Sequence, residues 1–241
     1  MPEGPSIVLL REAAAKFKGK TVREVSGNST LDLACLQGRR VRAVRSWGKH
    51  FLLEFSHVTL RIHLMMFGSW RIDERKETPA RVSMRFDNGE LNFYTCSVKL
   101  IAQPLDEVYD WRSDVMSDLW DPRLARRRLK SMPDVLVCDA LLDQTLFSGV
   151  GNIIKQERGA VPHPGPSGQP CRRCSAAQAC RTGQAGPRIQ FRLPAMEARV
   201  RAEKALAGAH PADMSPLWWF GQQGLYGYHA SAHLLLPGVP D

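Results

Sequence analysis

The chain has 241 residues, 44% of them hydrophobic, enough for one large domain or two small ones with genuine cores. Its 33 Lys and Arg against 24 Asp and Glu give a net charge of +9, which favours a polyanionic partner, nucleic acid first, over an acidic small molecule. No apolar run approaches the ~18 residues of a membrane span, and the N-terminus is too acidic for a secretory signal, so a cytoplasmic protein with reduced cysteines is expected.

Residues 6–17, "SIVLLREAAAKF", carry apolar and alanine positions at helical spacing and predict one amphipathic helix ended by "KGK". From Thr21 to about Gln103 short β-branched and aromatic runs recur, among them "RVRAVRSW", "HFLLEF" and "ELNFYTCSVKLI", with "DNG" at 87–89 as a hairpin turn. This pattern predicts a β-sandwich or flattened barrel. From Asp121 to Glu157 the period becomes helical, opening at "DPRLARRRLK" with Asp121 as N-cap and Pro122 as first helical residue. The fold class is therefore α+β: a sandwich over 1–105, a helical region over 106–158, and an irregular tail over 159–241, rich in Gly, Pro, Arg and Ser.

The opening "MPEGPS" carries the chemistry. Removal of Met1 before the small Pro2 leaves a secondary amine beside an acid, Glu3. Such an amine attacks an electrophilic carbon and forms an iminium, as lysine does in Schiff-base enzymes. With a reference pKa of about 7.7 to 8, an α-amine is partly neutral at physiological pH without special surroundings. Glu3 is placed to act as general acid. Alone, the tripeptide is a weak signal, because most such termini are chance and fray.

Four stretches raise it: "PEGPSI" at 2–7, "SWGKHFLLEF" at 46–55, "HLMMFGSWRI" at 63–72 and "DALLDQTLFSGVGNIIKQE" at 139–157. In this order they resemble the formamidopyrimidine-DNA glycosylase and endonuclease VIII family, closer to the endonuclease VIII side, over residues 2–157. The resemblance implies a base-excision repair enzyme with a β-sandwich, a helix-two-turns-helix domain and a C-terminal zinc finger. Its partner is double-stranded DNA with oxidised bases or abasic sites, which it cuts by base removal and β,δ-elimination; a monomer is expected. Pro2 then matches the Schiff-base nucleophile, Glu3 the acid that helps open the sugar ring, and Lys49 the lysine that holds phosphate and assists elimination. Met65, Met66 and Phe67 fall where the family fills the gap left by an extruded nucleotide, a task for apolar wedges. Strand alternation requires at least one of the three to face outward. "GVGN" at 149–152 opens a helix whose backbone N–H groups and Asn152 amide are expected to meet phosphate, with Lys155 one turn later and Arg112 as a further phosphate ligand. The arginine run at 126–130 reads as a solvated helix face.

Two departures stand out. Ser6 replaces an acidic residue usual in the family. The zinc ribbon's two Cys-x2-Cys pairs are missing: Cys171, Cys174 and Cys180 offer three thiols where a structural zinc takes four ligands, His163 being the nearest supplement, so no metal is expected in the chain as written. Shifted by one nucleotide, however, the sequence after about Lys155 can be respelled with cysteines at positions 214, 217, 236 and 239, which restores two such pairs. The expectation is that the tail is the family's C-terminal half out of frame, with zinc returning only when the frame is restored. Two rivals to the enzyme remain: a non-catalytic DNA-binding remnant without the finger, and an unrelated basic β-rich binder.

Overall fold

A computed structural model describes residues 2–159, and the tail and zinc expectations, including Cys171, Cys174 and Cys180, lie outside the described residues. The first helix, α1, runs Gly4–Ala13 and tightens into a 3-10 turn over Ala14–Phe17. It starts two residues before the predicted Ser6, because Pro5 occupies the first turn, where its missing N–H costs nothing. Eight strands follow: β1 Glu24–Ser26, β2 Ala43–Trp47, β3 His50–Glu54, β4 Thr59–His63, β5 Ser69–Ile72, β6 Val82–Phe86, β7 Gly89–Tyr94 and β8 Ser97–Ile101. They form two four-stranded antiparallel sheets, ordered β1-β6-β7-β5 and β2-β3-β4-β8. The expected "DNG" turn closes the β6–β7 hairpin, with Gly89 at φ +137°, where a side chain is disfavoured.

The sandwich closes by alternation. Phe51, Leu53, Leu60 and Ile62 of one sheet meet Val82, Met84, Leu91 and Phe93 of the other, with Ile7 and Leu10 of α1 completing the same core. Phe51 and Phe93 meet across it at 5.6 Å between ring centres. Leu52, pointing the other way, is buried as well, since Leu105 and Tyr109 cover it and Ile101 of β8 on the outer face of the sheet. That cover is the start of the connection to the helices: α2 Leu105–Val108 and a 3-10 turn Trp111–Ser113.

Next come α3 Pro122–Lys130, α4 Val137–Leu142 and α5 Asn152–Gly159, the last two joined through the turns of residues 143–151. Asp121 caps α3 as predicted, accepting from the N–H groups of Arg123 at 2.9 Å and Leu124 at 3.2 Å. Among the described residues no helix is long and apolar enough to cross a membrane.

Candidate active site at a junction of three glycine turns

Glu3 occupies the N-cap position of α1, yet its side chain makes no cap hydrogen bond to that helix. Its carboxylate turns instead to the start of α5, where it accepts from the backbone N–H groups of Gly151 at 3.1 Å, Ile153 at 2.8 Å and Ile154 at 3.2 Å. Glu3 is only 4% exposed. Three N–H donors at the positive end of a helix suit a carboxylate. A locally expected cap has been given up to join two segments about 150 residues apart in sequence. The expectation that these N–H groups meet phosphate is thereby corrected: they already serve Glu3, and only the exposed Asn152 side chain and the half-buried Lys155 remain from that motif.

The approach depends on glycine. A Cβ at Gly151 would overlap the Glu3 carboxylate, and one at Gly48 would overlap Ser148 Oγ. Gly48 and Gly149 both have positive φ, +54° and +97°. A Cβ at Gly149 would lie 3.3 Å from the Gly4 Cα and 3.5 Å from that of Gly48. The Gly4 N–H donates to the Gly149 carbonyl at 2.9 Å. Thus "PEG", "WGK" and "GVGN" meet backbone to backbone, which sets Glu3, next in sequence to Pro2, near Lys49 and at the start of α5. Gln144 braces the third turn, its Nε2 donating to the Leu142 and Val150 carbonyls and its Oε1 accepting from Gly149 N–H.

Lys49 is half-buried, and desolvation lowers its pKa, while the nearby Glu3 charge acts in the opposite sense. Behind it His50 is pushed down to about 3, first by burial and then by Arg61, His63 and Lys99. His63 is lowered too, by burial and by Arg61 and Lys49. Both imidazoles are neutral at pH 7 in surroundings already rich in cations.

The three expected wedge residues lie in the turn after β4, not in a strand, so all three face outward: Met65, Met66 and Phe67 are 50%, 60% and 79% exposed. The turn is tight, with Met65 at φ +53° and Gly68 packed so closely on the Leu64 carbonyl that no Cβ fits. His63 Nδ1 lies 3.0 Å from Met65 Sδ. The three adjacent side chains form one exposed apolar run on this turn.

Arg112 is engaged: its Nε donates to Asp110 Oδ1 at 2.9 Å, while Arg128 donates to Asp110 Oδ2 at 2.9 Å and to the Thr145 carbonyl at 2.7 Å. One member of the supposedly solvated arginine run therefore ties α3 to this hub. The Asp110 carbonyl also accepts from Trp47 Nε1 at 3.0 Å, next to the Gly48 turn. Asp110, Asp114, Gln144, His50 and His63 escaped the sequence reading; the only hint was an Asp at each end of the short stretch "DWRSD".

The sequence profile of the formamidopyrimidine-DNA glycosylase N-terminal domain matches residues 1–97. The DNA-(apurinic or apyrimidinic site) lyase Nei2 of Mycolicibacterium smegmatis is 30% identical over 167 residues, 65% of either chain, so the match spans under two thirds of that relative. The formamidopyrimidine-DNA glycosylase of Acidothermus cellulolyticus is 30% identical over 210 residues, 73% of either chain. Among solved structures, the Lactococcus lactis formamidopyrimidine-DNA glycosylase bound to abasic-site DNA superposes with a TM-score of 0.55 at 22% identity, covering 66% of this chain and 69% of that one, and supports the fold. With its sandwich, its helix-two-turns-helix and a relative matched over most of both lengths, the chain belongs to the formamidopyrimidine-DNA glycosylase and endonuclease VIII family.

Proposed function

We propose that the protein is a base-excision repair DNA glycosylase and abasic-site lyase that works through an iminium on Pro2. The observation that supports this reading is the junction itself: the buried Glu3 carboxylate, next in sequence to Pro2, is held by glycine turns close enough to the half-buried Lys49 for its charge to act on that amine. With Met1 removed, the Pro2 nitrogen attacks C1′ of the damaged nucleoside. The glycosidic bond breaks and its electron pair leaves with the base, which takes up a proton. Glu3 relays a proton to the ring oxygen as the sugar opens, and the nitrogen keeps its new bond as an iminium. Loss of a C2′ proton then expels the 3′ phosphate, and a second elimination expels the 5′ phosphate. Lys49 sits at the turn where its cation offsets charge building on phosphate.

Oxidised bases are the proposed substrates, the duplex being held open by Met65, Met66 and Phe67, with Arg112, Asn152 and Lys155 on phosphates. The protein acts as a monomer at the nucleoid. Among the described residues no group of three or more His, Cys, Asp and Glu is placed to hold a metal ion, and none of these steps is routed through one.

Borohydride trapping on abasic duplex is the test. A covalent protein–DNA product is expected from the chain beginning at Pro2 and not from one with an uncleaved N-terminal tag. Full lyase activity from the tagged chain would sink the role of Pro2. No trapping from either, with retained duplex binding, would favour the DNA-binding remnant.

A further inference from the structure

The outer face of the β2-β3-β4-β8 sheet carries cations that these steps do not use. Strand pairing sets Arg45, Leu52, Arg61 and Lys99 side by side in one row, and Trp47, His50, His63 and Ser97 in the next row, toward the Lys49 turn. Leu52 and Trp47 pack with Leu105 and Tyr109, so alternation puts both rows on that face. Arg45 is compensated there: its Nε lies 3.3 Å from Glu54 Oε2, and its guanidinium sits over the Trp111 ring at 5.8 Å. Arg61 and Lys99 are not. They are direct partners across the β4–β8 ladder, like charges in a position that destabilises a sheet, and among the described residues neither forms an ion pair. Arg61 is half-buried, and its Nε is fully shielded from water with no hydrogen-bond partner. The Tyr109 hydroxyl, on a side chain only 5% exposed that packs on the ladder neighbour of Arg61, Leu52, also has no partner.

We propose that Arg61 and Lys99, beside the Tyr109 hydroxyl, form an anion site on the outer face of β4 and β8 that takes a backbone phosphate of the bound DNA. The proposal rests on the function assigned above, which brings DNA to the Lys49 turn at the end of this sheet. Buried polar groups find partners, and Arg Nε can only donate. A water molecule would satisfy that donor but leave two cations opposed. An anion answers both, and a phosphate offers several oxygens to a guanidinium, an ammonium and a phenol at once. DNA is the occupant that position favours. Arg61 lies two residues, about 7 Å, along β4 from His63, and the same strand runs on into the exposed Met65–Phe67 turn. A duplex held at Lys49 and at that turn has further phosphates within reach of the row.

The test uses the full chain, Lys99→Ala, the double variant Arg61→Gln with Lys99→Ala, and Lys18→Ala, which removes an exposed charge elsewhere. Fluorescence anisotropy on abasic duplex across a salt series gives the slope of log binding constant against log salt. That slope should fall by about 0.9, one phosphate contact, in the double variant, and far less in Lys18→Ala. Lys99→Ala, on an exposed side chain, should show part of the fall and decides the matter where the Arg61 change unfolds the chain. In melting scans at equal ionic strength, inorganic phosphate in place of chloride should raise the Tm of the parent more than that of Lys99→Ala. An unchanged slope in the variants, or an equal loss in Lys18→Ala, would overturn the proposal. So would phosphate stabilisation with no change of slope, which marks a free anion as the occupant. If the parent binds abasic duplex but cleaves nothing, the catalytic reading above fails while the slopes still decide this site.

Discussion

The sandwich core and the glycine junction are two kinds of interior. In the core, side chains do the packing: Phe51, Leu53, Ile62, Met84 and Phe93 fill the space between sheets, and chemically similar residues of like volume would serve. At the junction, backbones touch, side-chain volume is excluded, and polar groups are buried in number: Glu3, Asp114 and Ser148 are 4%, 2% and 0% exposed. The first interior supplies stability. The second spends some of it on holding reactive groups in register.

The sharpest way to break the distinction is at Gly151. Gly151→Ala places a methyl group on the Glu3 carboxylate and should displace it, as Glu3→Gln should disable it. Either change is expected to slow base removal by ~10²- to 10⁴-fold, the scale of general acid–base catalysis. Glu3→Gln should spare strand cleavage at a preformed abasic site, while Lys49→Ala should damage both steps. Single-turnover assays on lesion and abasic duplexes separate the two. Equal, small losses in both assays would remove these residues from the site.

Leu53→Ala should show the reverse. Fully buried between the sheets, Leu53 leaves a cavity on truncation, and the expected loss is ~2–5 kcal/mol in chemical denaturation. Activity per folded molecule should not change. A catalytic loss well beyond the unfolded fraction would mean that core and junction are not separable.

Asp114 sharpens the contrast through pH. Its folded value of about 6 lies above the reference of 3.8, so its stabilising contribution is complete below about pH 4 and is lost as pH rises through 6. A shift of that size corresponds to at most ~3 kcal/mol. Thermal melts of the parent should therefore fall across this window relative to Asp114→Asn, whose curve should be flatter. Parallel curves would show that the carboxyl has the same pKa folded and unfolded.

How far the sequence disclosed this follows the same division. The two-residue period of "HFLLEF" and the "DNG" turn speak of local geometry, so the sandwich could be read, and the Asp121 cap likewise. Pro2, Glu3 and Lys49 could be named through motifs, because Glu3 and Lys49 each lie beside a glycine that the close approach demands and Pro2 directly precedes Glu3. What escaped was contact between distant segments. No periodicity says that Glu3 abandons its own helix for α5, and nothing in "DWRSDVM" marks Asp110 as a salt-bridge hub and Asp114 as buried. Wedge exposure was underestimated for a related reason: alternation was applied to residues 65–67, whereas β4 ends at His63 and the turn exposes all three.

The smallest expected effect lies at Arg112, where the hub touches the surface. Arg112 is held by Asp110 in a pair whose side chains are 57% and 31% exposed, a setting in which ion pairs contribute between nothing and ~1 kcal/mol. Moving the guanidinium from Asp110 to a DNA phosphate therefore costs little, but the exchange also gains little, since one charge-assisted contact replaces another. Arg112→Ala should reduce the slope of log binding constant against log salt by about 0.9, one phosphate contact, and weaken binding only modestly. Asp110→Asn should do the opposite, freeing Arg112 and raising affinity at low salt. It also releases Arg128, whose second bond to the Thr145 carbonyl should keep α3 in place and limit the cost in stability. Fluorescence anisotropy on one abasic duplex across a salt series measures both. An unchanged slope in Arg112→Ala would show that this arginine serves the hub alone and never reaches the phosphate.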